Sequence, residues 1–414
     1  MQQSLVDESQ EFVLEDRPEM SNSTRRNFLG AASLGVLGFA LSKALAAYAR
    51  SVAGLREMLV YVGTYTSGKS EGIYLYRMNL SSGELKHAAT TTGVVNPSFL
   101  AVDPRRRNLY AVNEVTEVAG RPGGAVSAFS IDQRTGELRF LNQQPSLGGA
   151  PCYVTVDQNG KFVLVANYAG GNLSVLPIEG EGRLGAPTDM RQHHGSGLGP
   201  KRQEAPHAHC IVLDRANRYA CACDLGTDKV MIYRFDARNG KLTANQQPWV
   251  EAGAGAGPRH ITFHPGGSFA YVINELDSTV STFAYDGAKG RLKNIQTVPT
   301  LPKDFSGVNT TADIHVSPNG RFLYGSNRGH DSIVVFAIDE TTGKLSLIGH
   351  TLTEGKTPRN FAIDPAGAFL LAANQDSGTI ITFRLDTATG KLSPTGQVTE
   401  VPSPVCLKLI PPFS

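Results

Sequence analysis

From residue 58 onward, short runs of apolar, β-branched and aromatic residues alternate with tight polar turns, and the order of the runs repeats. In residues 311–348, Ile314-His315-Val316 reads as a strand and Ser317-Pro318-Asn319-Gly320 as a turn. Phe322 to Ser326 is a second strand ending at Asn327, and Ser332 to Ile338 a third with alternating character. After the hairpin turn Thr341-Thr342-Gly343, Leu345 to Ile348 is a fourth. The same order recurs from Phe99, Tyr153, Ile211, Ile261 and Phe361. The first hairpins carry turn residues at Asp103-Pro104, Asp157 to Gly160, His264-Pro265-Gly266 and Asp364-Pro365-Ala366-Gly367.

A second signature marks the last hairpin of each repeat: Gly, a charged residue, Leu. It begins at Gly83, Gly136, Gly182, Gly240, Gly290, Gly343 and Gly390. A period of about 50 residues built from four short strands predicts an all-β, seven-bladed β-propeller with four-stranded antiparallel blades. The first copy starts at Leu59-Val60-Tyr61-Val62, which matches a second strand. The last stops after Pro404-Val405-Cys406-Leu407, which matches a first strand. The C-terminal strand is therefore expected to join the N-terminal blade and close the ring, which removes two exposed sheet edges. The propeller spans residues 58–411.

Length alone would suggest two or three domains for 414 residues. The repeat overrides this, because no blade buries its apolar faces alone. Hydrophobic residues are 41% and charged residues 18% of the chain, a globular composition. Net charge is +2, with one Trp and no long basic run, so nucleic acid is not the expected partner. Cys152, Cys210, Cys221, Cys223 and Cys406 show no zinc-site spacing and read as buried free thiols.

The N-terminus stands outside this pattern. Residues 1–22 are polar and acidic and read as disordered. Residues 23–49 open with Ser23-Thr24-Arg25-Arg26-Asn27-Phe28-Leu29, followed by an apolar stretch from Gly30 to Leu41 and small-residue cleavage patterns at Ala44-Leu45-Ala46 and Ala47-Tyr48-Ala49. A twin-arginine export signal has this form. The apolar run is short for a spanning helix, which needs ~20 residues. The expected location is periplasmic or otherwise exported, with no membrane attachment after the signal is removed.

Antiparallel pairing puts the start of each first strand and the end of each second strand on one face, bordering the central channel. The first-strand slots there are Ser98, Cys152, His209, Arg259, Ala312 and Arg359. The second strands end at Asn113, Asn167, Asp224, Asn274, Asn327 and Asn374, a repeated polar residue best read as a structural cap. The next residue varies: Glu114, Tyr168, Leu225, Glu275, Arg328 and Gln375. Positions that depart from the repeat are the better candidates for chemistry. His207, His209, Arg259, His260, Glu275 and Arg328 cluster in neighbouring blades. Arginine holds carboxylate or phosphate in a fixed fork, and Glu or His moves protons to and from water. Glu114 occupies the Glu275 slot in a blade without Arg or His at its partner slot. His193 and His194 lie in a glycine-rich loop with no companion carboxylate at metal-binding spacing. Thr116 to Gly124 is a surface insertion.

Pro206-His207-Ala208-His209, Asp224-Leu225-Gly226-Thr227-Asp228, Gly257-Pro258-Arg259-His260, Asn274-Glu275-Leu276, Ser326-Asn327-Arg328-Gly329-His330-Asp331-Ser332 and Pro358-Arg359-Asn360-Phe361 together resemble the lactonase family of seven-bladed propellers. That family includes propeller-type 6-phosphogluconolactonase and fungal carboxy-cis,cis-muconate cyclase. The resemblance implies hydrolysis of a sugar lactone and a catalytic set of His207 or His209, Arg259, Glu275 and Arg328. The two histidines, two residues apart on a strand, are expected to share a face. His260, Arg359, Glu114 and Asn274 are expected to bind substrate. No Gly-x-Ser-x-Gly elbow supports a serine nucleophile. Neither metal nor cofactor is expected, and the chain is expected to act as a monomer on a small lactone or carboxylate. An exported location favours a non-phosphorylated aldonolactone. The alternatives are a muconate-type lactonising cycloisomerase and a non-catalytic ligand-binding propeller.

Overall fold

The computed structural model describes residues 55–199 and 201–413. The readings made for residues 1–22 and 23–49 lie outside the described residues. Seven four-stranded antiparallel sheets form the blades. The first and last segments share one sheet: Glu57–Thr64 pairs with Gly72–Asn79 on one side and with the C-terminal strand Pro404–Ile410 on the other, Val62 opposite Leu407. We call this blade 1. Blades 2 to 7 follow in chain order, their innermost strands being Leu100–Val102, Pro151–Val156, Ala208–Leu213, Pro258–Phe263, Thr310–Val316 and Pro358–Ile363. The insertion at Thr116 to Gly124 is a small hairpin, Glu117–Val118 against Arg121–Pro122. Among the described residues no helix is long and apolar enough to cross a membrane.

The strands follow the hydrophobic pattern from the axis outward. Second strands such as Phe162–Asn167, Phe269–Asn274 and Phe369–Asn374 are buried along their whole length, because neighbouring blades cover both faces. Outer strands are far more open; Arg291–Pro299 exposes Arg291, Lys293, Asn294, Thr297 and Pro299. The core accordingly lies between blades. Phe269, Tyr271 and Ile273 of blade 5 pack with Ile314, Leu323, Val334 and Phe336 of blade 6. Each fully buried aliphatic or aromatic side chain there stabilises the fold by about 1.5–3 kcal/mol.

The repeated turns stitch these layers. The Gly343 carbonyl of blade 6 accepts a hydrogen bond from Tyr271 Oη of blade 5, and the Gly390 carbonyl of blade 7 accepts one from Tyr324 of blade 6 (3.1 and 2.9 Å). First-hairpin aspartates cap their own turns: Asp157 Oδ1 accepts from the N–H groups of Lys161 and Phe162, and Asp364 Oδ1 from those of Ala368 and Phe369. The repeated asparagines are structural. Asn113, Asn167, Asn327 and Asn374 donate from Nδ2 to the carbonyls of Val95, Ser146, Thr300 and Thr353, where the chain arrives from the preceding blade.

One irregularity recurs and sets up the site. Where five innermost strands meet the channel, the ladder skips a residue: at Cys152, His209, Arg259, the pair Ala312-Asp313, and Arg359. Pro404–Ile410 of blade 1 skips Val405 in the same way. A β-bulge leaves its extra residue unpaired and re-aims its side chain.

Candidate active site

Bulge residues and the residues that follow the second strands meet in a cavity of about 300 Å³. Cys152, His209 and Arg359 reach it from bulges, and Glu114, Tyr168, Glu275 and Arg328 from the ends of second strands. Arg202 enters from the connection between blades 3 and 4.

Glu275 is the centre of charge. Its Oε1 accepts a hydrogen bond from Arg202 Nη2 (2.9 Å), and Arg328 Nη2 lies 3.1 Å from the same oxygen. Arg259 Nε is 2.8 Å from Oε2 and His209 Nε2 is 4.0 Å from it. The Arg259 contact is an ion pair rather than an aligned hydrogen bond, because its Nε–H is directed off the carboxylate; Arg328 Nε is likewise buried without an acceptor. Burial raises the Glu275 pKa, but Arg328, Arg259, Arg202 and Arg359 outweigh it and hold the carboxyl down at about 2. It is therefore ionised at any physiological pH.

His209 behaves oppositely. Burial, then the positive field of Arg259 and the proximity of His260 and Arg359, push its pKa well below the usual histidine range. It is a neutral imidazole, with Nδ1 turned toward Cys152 Sγ (3.7 Å) and Nε2 toward Glu275. Burial raises the Cys152 thiol well above its ordinary value, so Cys152 is no activated nucleophile. A second cluster shares the cavity. Arg359 Nη2 donates to Tyr65 Oη (2.9 Å), which donates to both carboxylate oxygens of Glu114, and Ser98 Oγ donates to Glu114 as well. The lining thus carries three guanidiniums, with Arg259 directly behind, against two carboxylates.

Other expected residues lie outside the cavity. The ring of His207 stacks on Tyr168 (4.4 Å between centroids), and its Nδ1 meets the Tyr168 carbonyl at 3.0 Å. The expectation that strand alternation puts His207 and His209 on one face does not apply, because His207 precedes the strand Ala208–Leu213 and His209 is its bulge residue; only His209 lines the cavity. His260 lies behind Arg259: its Nε2 is 3.1 Å from Arg259 Nη1 and its Nδ1 2.8 Å from Asp313 Oδ1. Asn274 turns into its own blade and donates to Thr279 Oγ1 and Ser281 Oγ. His193 Nδ1 lies 2.5 Å from Asp224 Oδ2 of the next blade. The five cysteines are free and buried.

Five cavity or contact residues were not among the expected site residues: Cys152, Tyr168, Arg202, Tyr65 and Ser98. Tyr168 fills the slot that holds Glu114, Glu275 and Arg328 elsewhere, so the repeat already pointed to it. Tyr65 fills the same slot in blade 1, where Thr64 takes the place of the repeated asparagine, whereas Arg202 occupies no repeated slot and carried no signal. Among the described residues no group of His, Cys, Asp and Glu side chains is arranged to hold a metal ion. A larger cavity of about 410 Å³ lies elsewhere on blades 2 and 3, lined by Arg105, Arg107, Glu179 and Glu181 among others. It lacks a histidine or cysteine beside a carboxylate.

Comparison with known proteins agrees with this fold. A family model described as lactonase, 7-bladed beta-propeller, matches residues 59–409. The chain belongs to this family. It is 40% identical to the 6-phosphogluconolactonase of Bacillus subtilis (strain 168) over 301 residues, 73% of this chain and 83% of that protein. It is 37% identical to the 6-phosphogluconolactonase of Formosa agariphila over 308 residues, 73% of this chain and 86% of the relative. Among solved structures, the periplasmic gluconolactonase of Pseudomonas aeruginosa superimposes with a TM-score of 0.81 at 35% identity, covering 86% of this lactonase-family chain and 99% of that one.

Proposed function

We propose that this protein opens the ring of a gluconolactone-type sugar lactone by hydrolysis, without a covalent intermediate. One observation carries the reading: a neutral, buried His209 faces a permanently ionised Glu275 across 4.0 Å in a cavity lined by guanidiniums. A water held between His209 Nε2 and Glu275 Oε2 is placed to lose a proton. Glu275, at a pKa of about 2, is too weak a base to take it alone. His209 accepts the proton, and the adjacent carboxylate stabilises the imidazolium that forms. The hydroxide adds to the lactone carbonyl. Arg328, which lines the cavity, supplies a donor for the oxyanion, and Arg259 behind Glu275 adds to the positive field there. The imidazolium then returns its proton to the ring oxygen as the acyl–oxygen bond breaks.

The names of the relatives support the substrate class, and the periplasmic neighbour agrees with the export signal read in residues 23–49. We extend that reading to an exported location. The test is acid release from glucono-δ-lactone and its 6-phosphate ester by the purified protein, corrected for spontaneous hydrolysis, with and without a chelator. The expected result is enzymatic turnover of at least one lactone that the chelator leaves unchanged, because a cationic lining is a poor donor set for a metal. No rate above background on either ester defeats the proposal.

A further inference from the structure

Arg202 stands apart from the other cavity arginines. Arg259 and Arg359 come from bulges and Arg328 from the end of a second strand. Arg202 lies within residues 193–207, the longest of the connections that carry the chain from an outermost strand to the next innermost one.

That connection is fastened from within. Gln203 is fully buried. Its Nε2 donates to the Leu225 carbonyl (2.8 Å) and Asp228 Oδ1 (2.6 Å), and its Oε1 accepts from the Gly199 N–H (2.7 Å). A Cβ at Gly197 would come within 2.7 Å of the Gln203 amide carbon, so the chain is wrapped tightly around this side chain. Asp228 also accepts from the N–H groups of Gly255 and Gly257, just ahead of Arg259. At the ends of the connection, Asp224 Oδ2 lies within hydrogen-bond distance of His193 Nδ1 (2.5 Å), and its Oδ1 accepts the His207 N–H (2.9 Å). Arg202 therefore projects from a rigid base, the kind of pre-organisation that makes binding groups effective.

Its own contacts leave it free to take a ligand. Nε and Nη2 donate to Tyr168 Oη (3.1 and 2.9 Å), and Nη2 also to Glu275. The Arg202 side chain is 43% exposed, against 3% for Arg259 and 12% for Arg328. The Arg202 end of this pair is open to water, while Glu275 is buried. Glu275 keeps two buried guanidiniums if Arg202 leaves it.

We propose that Arg202 is a specificity-determining residue that binds an anionic substituent of the substrate at the cavity mouth, and that Gln203 is its positioning residue. This rests on the lactonase reading above. Whether the anion is a phosphate monoester or a carboxylate is left to the arms of the experiment, since a planar fork accepts either.

The experiment compares kcat/KM of the wild-type chain, Arg202→Ala, Arg202→Lys and Gln203→Ala on three lactones. These are glucono-δ-lactone, its 6-phosphate ester and a hexuronic acid lactone bearing a free carboxylate. The wild type should favour one anionic lactone over the neutral one. Arg202→Ala should cut that preference by ~10- to 100-fold, the size of a lost charge-assisted hydrogen bond. Arg202→Lys should restore part of it, and Gln203→Ala should raise KM for the anionic lactone more than for the neutral one. Inorganic phosphate should inhibit the wild type more strongly than Arg202→Ala. A preference ratio unchanged by Arg202→Ala, including an equal loss on all three lactones, overturns the proposal while the lactonase reading stands. So does a wild type that favours the neutral lactone. A wild type inactive on every lactone overturns both.

Discussion

Glu275 shows how one side chain can be both structural and chemical. It is the negative charge around which Arg202, Arg259 and Arg328 gather. Glu275→Gln keeps the shape but leaves Arg259 buried without its counter-charge, so stability should fall by about 3–5 kcal/mol. Activity should fall by at least ~100-fold, because the charge that stabilises a protonated His209 is lost. Urea unfolding and lactone assays on the same preparation separate the two effects. His209→Gln should lose ~10²- to 10⁴-fold in kcat, the range for removing a general base. His207→Gln should lose far less, since that ring only backs Tyr168. Equal losses in the two histidine variants would contradict the assignment. Strand period could not separate these histidines, because a bulge is a local fault in the period and shows only in the pairing. The departures from the repeat did point to His209, Arg259, Glu275, Arg328, Arg359 and Glu114, which converge in space. His260 and Asn274, each next to a departing residue, face inward to Asp313 and Thr279. Arg202 was invisible because long-range contacts through Gln203, not local pattern, decide where it points.

The recurring hairpin turn explains more of the fold than its sequence signature suggests. Gly343 has φ +69°, and a Cβ there would fall 2.4 Å from Phe269 Cδ1 of the preceding blade. The other turn glycines face the neighbouring blade in the same way: Gly136 meets Leu59, Gly240 meets Phe162, Gly390 meets Phe322, and Gly83 of blade 1 meets Phe369 of blade 7, so the contact runs across the ring closure. The glycines were readable as turn formers. That each one must also admit a side chain from the next sheet was not, because the partner lies roughly 70 or more residues away in the chain. Gly343→Ala should therefore cost more than backbone strain alone. About 1–2 kcal/mol comes from the left-handed conformation, and a further ~1–3 kcal/mol from displacing the Phe269 ring. Gly93 has a similar φ, +77°, with nothing within 4 Å of its would-be Cβ, so Gly93→Ala should cost only the strain, about 1–2 kcal/mol. Equal shifts in the urea midpoints of the two variants would mean that the turn does not wedge the blades together.

At the scale of the whole molecule, the count of seven and the closure by Pro404–Ile410 were both readable from the sequence, because the first and last copies are complementary fragments of one blade. What runs down the axis was not. Behind Glu275 a polar chain passes from Arg259 to His260, from His260 Nδ1 to Asp313 Oδ1, and from Asp313 Oδ2 to His315 Nε2 (2.9 Å), whose side chain is 38% exposed. His260 stays neutral here: burial and Arg259 lower its pKa to about 4 despite the opposing pull of Asp313. The unfolded chain releases that restraint, and its histidines titrate near 6.5. Below that value the unfolded state takes up a proton that the folded state refuses, so stability that is complete above pH 6.5 is lost as pH falls through about 4. The shift corresponds to on the order of 3 kcal/mol for His260, and His209 adds to it in the same direction. Glu275 and Asp313, held low, contribute a further loss only below the ordinary carboxylate range. The thermal midpoint should thus drop steadily between pH 6.5 and 4, and His260→Gln should flatten that slope whatever it does to the midpoint at pH 7. A midpoint constant over this interval would mean that these histidines are not held neutral by the fold. In the proposed mechanism, the depressed basicity of His209 sets the limit on catalysis in acid. A base that resists protonation keeps its function in mild acid, so activity should disappear together with the folded state rather than along a histidine titration curve.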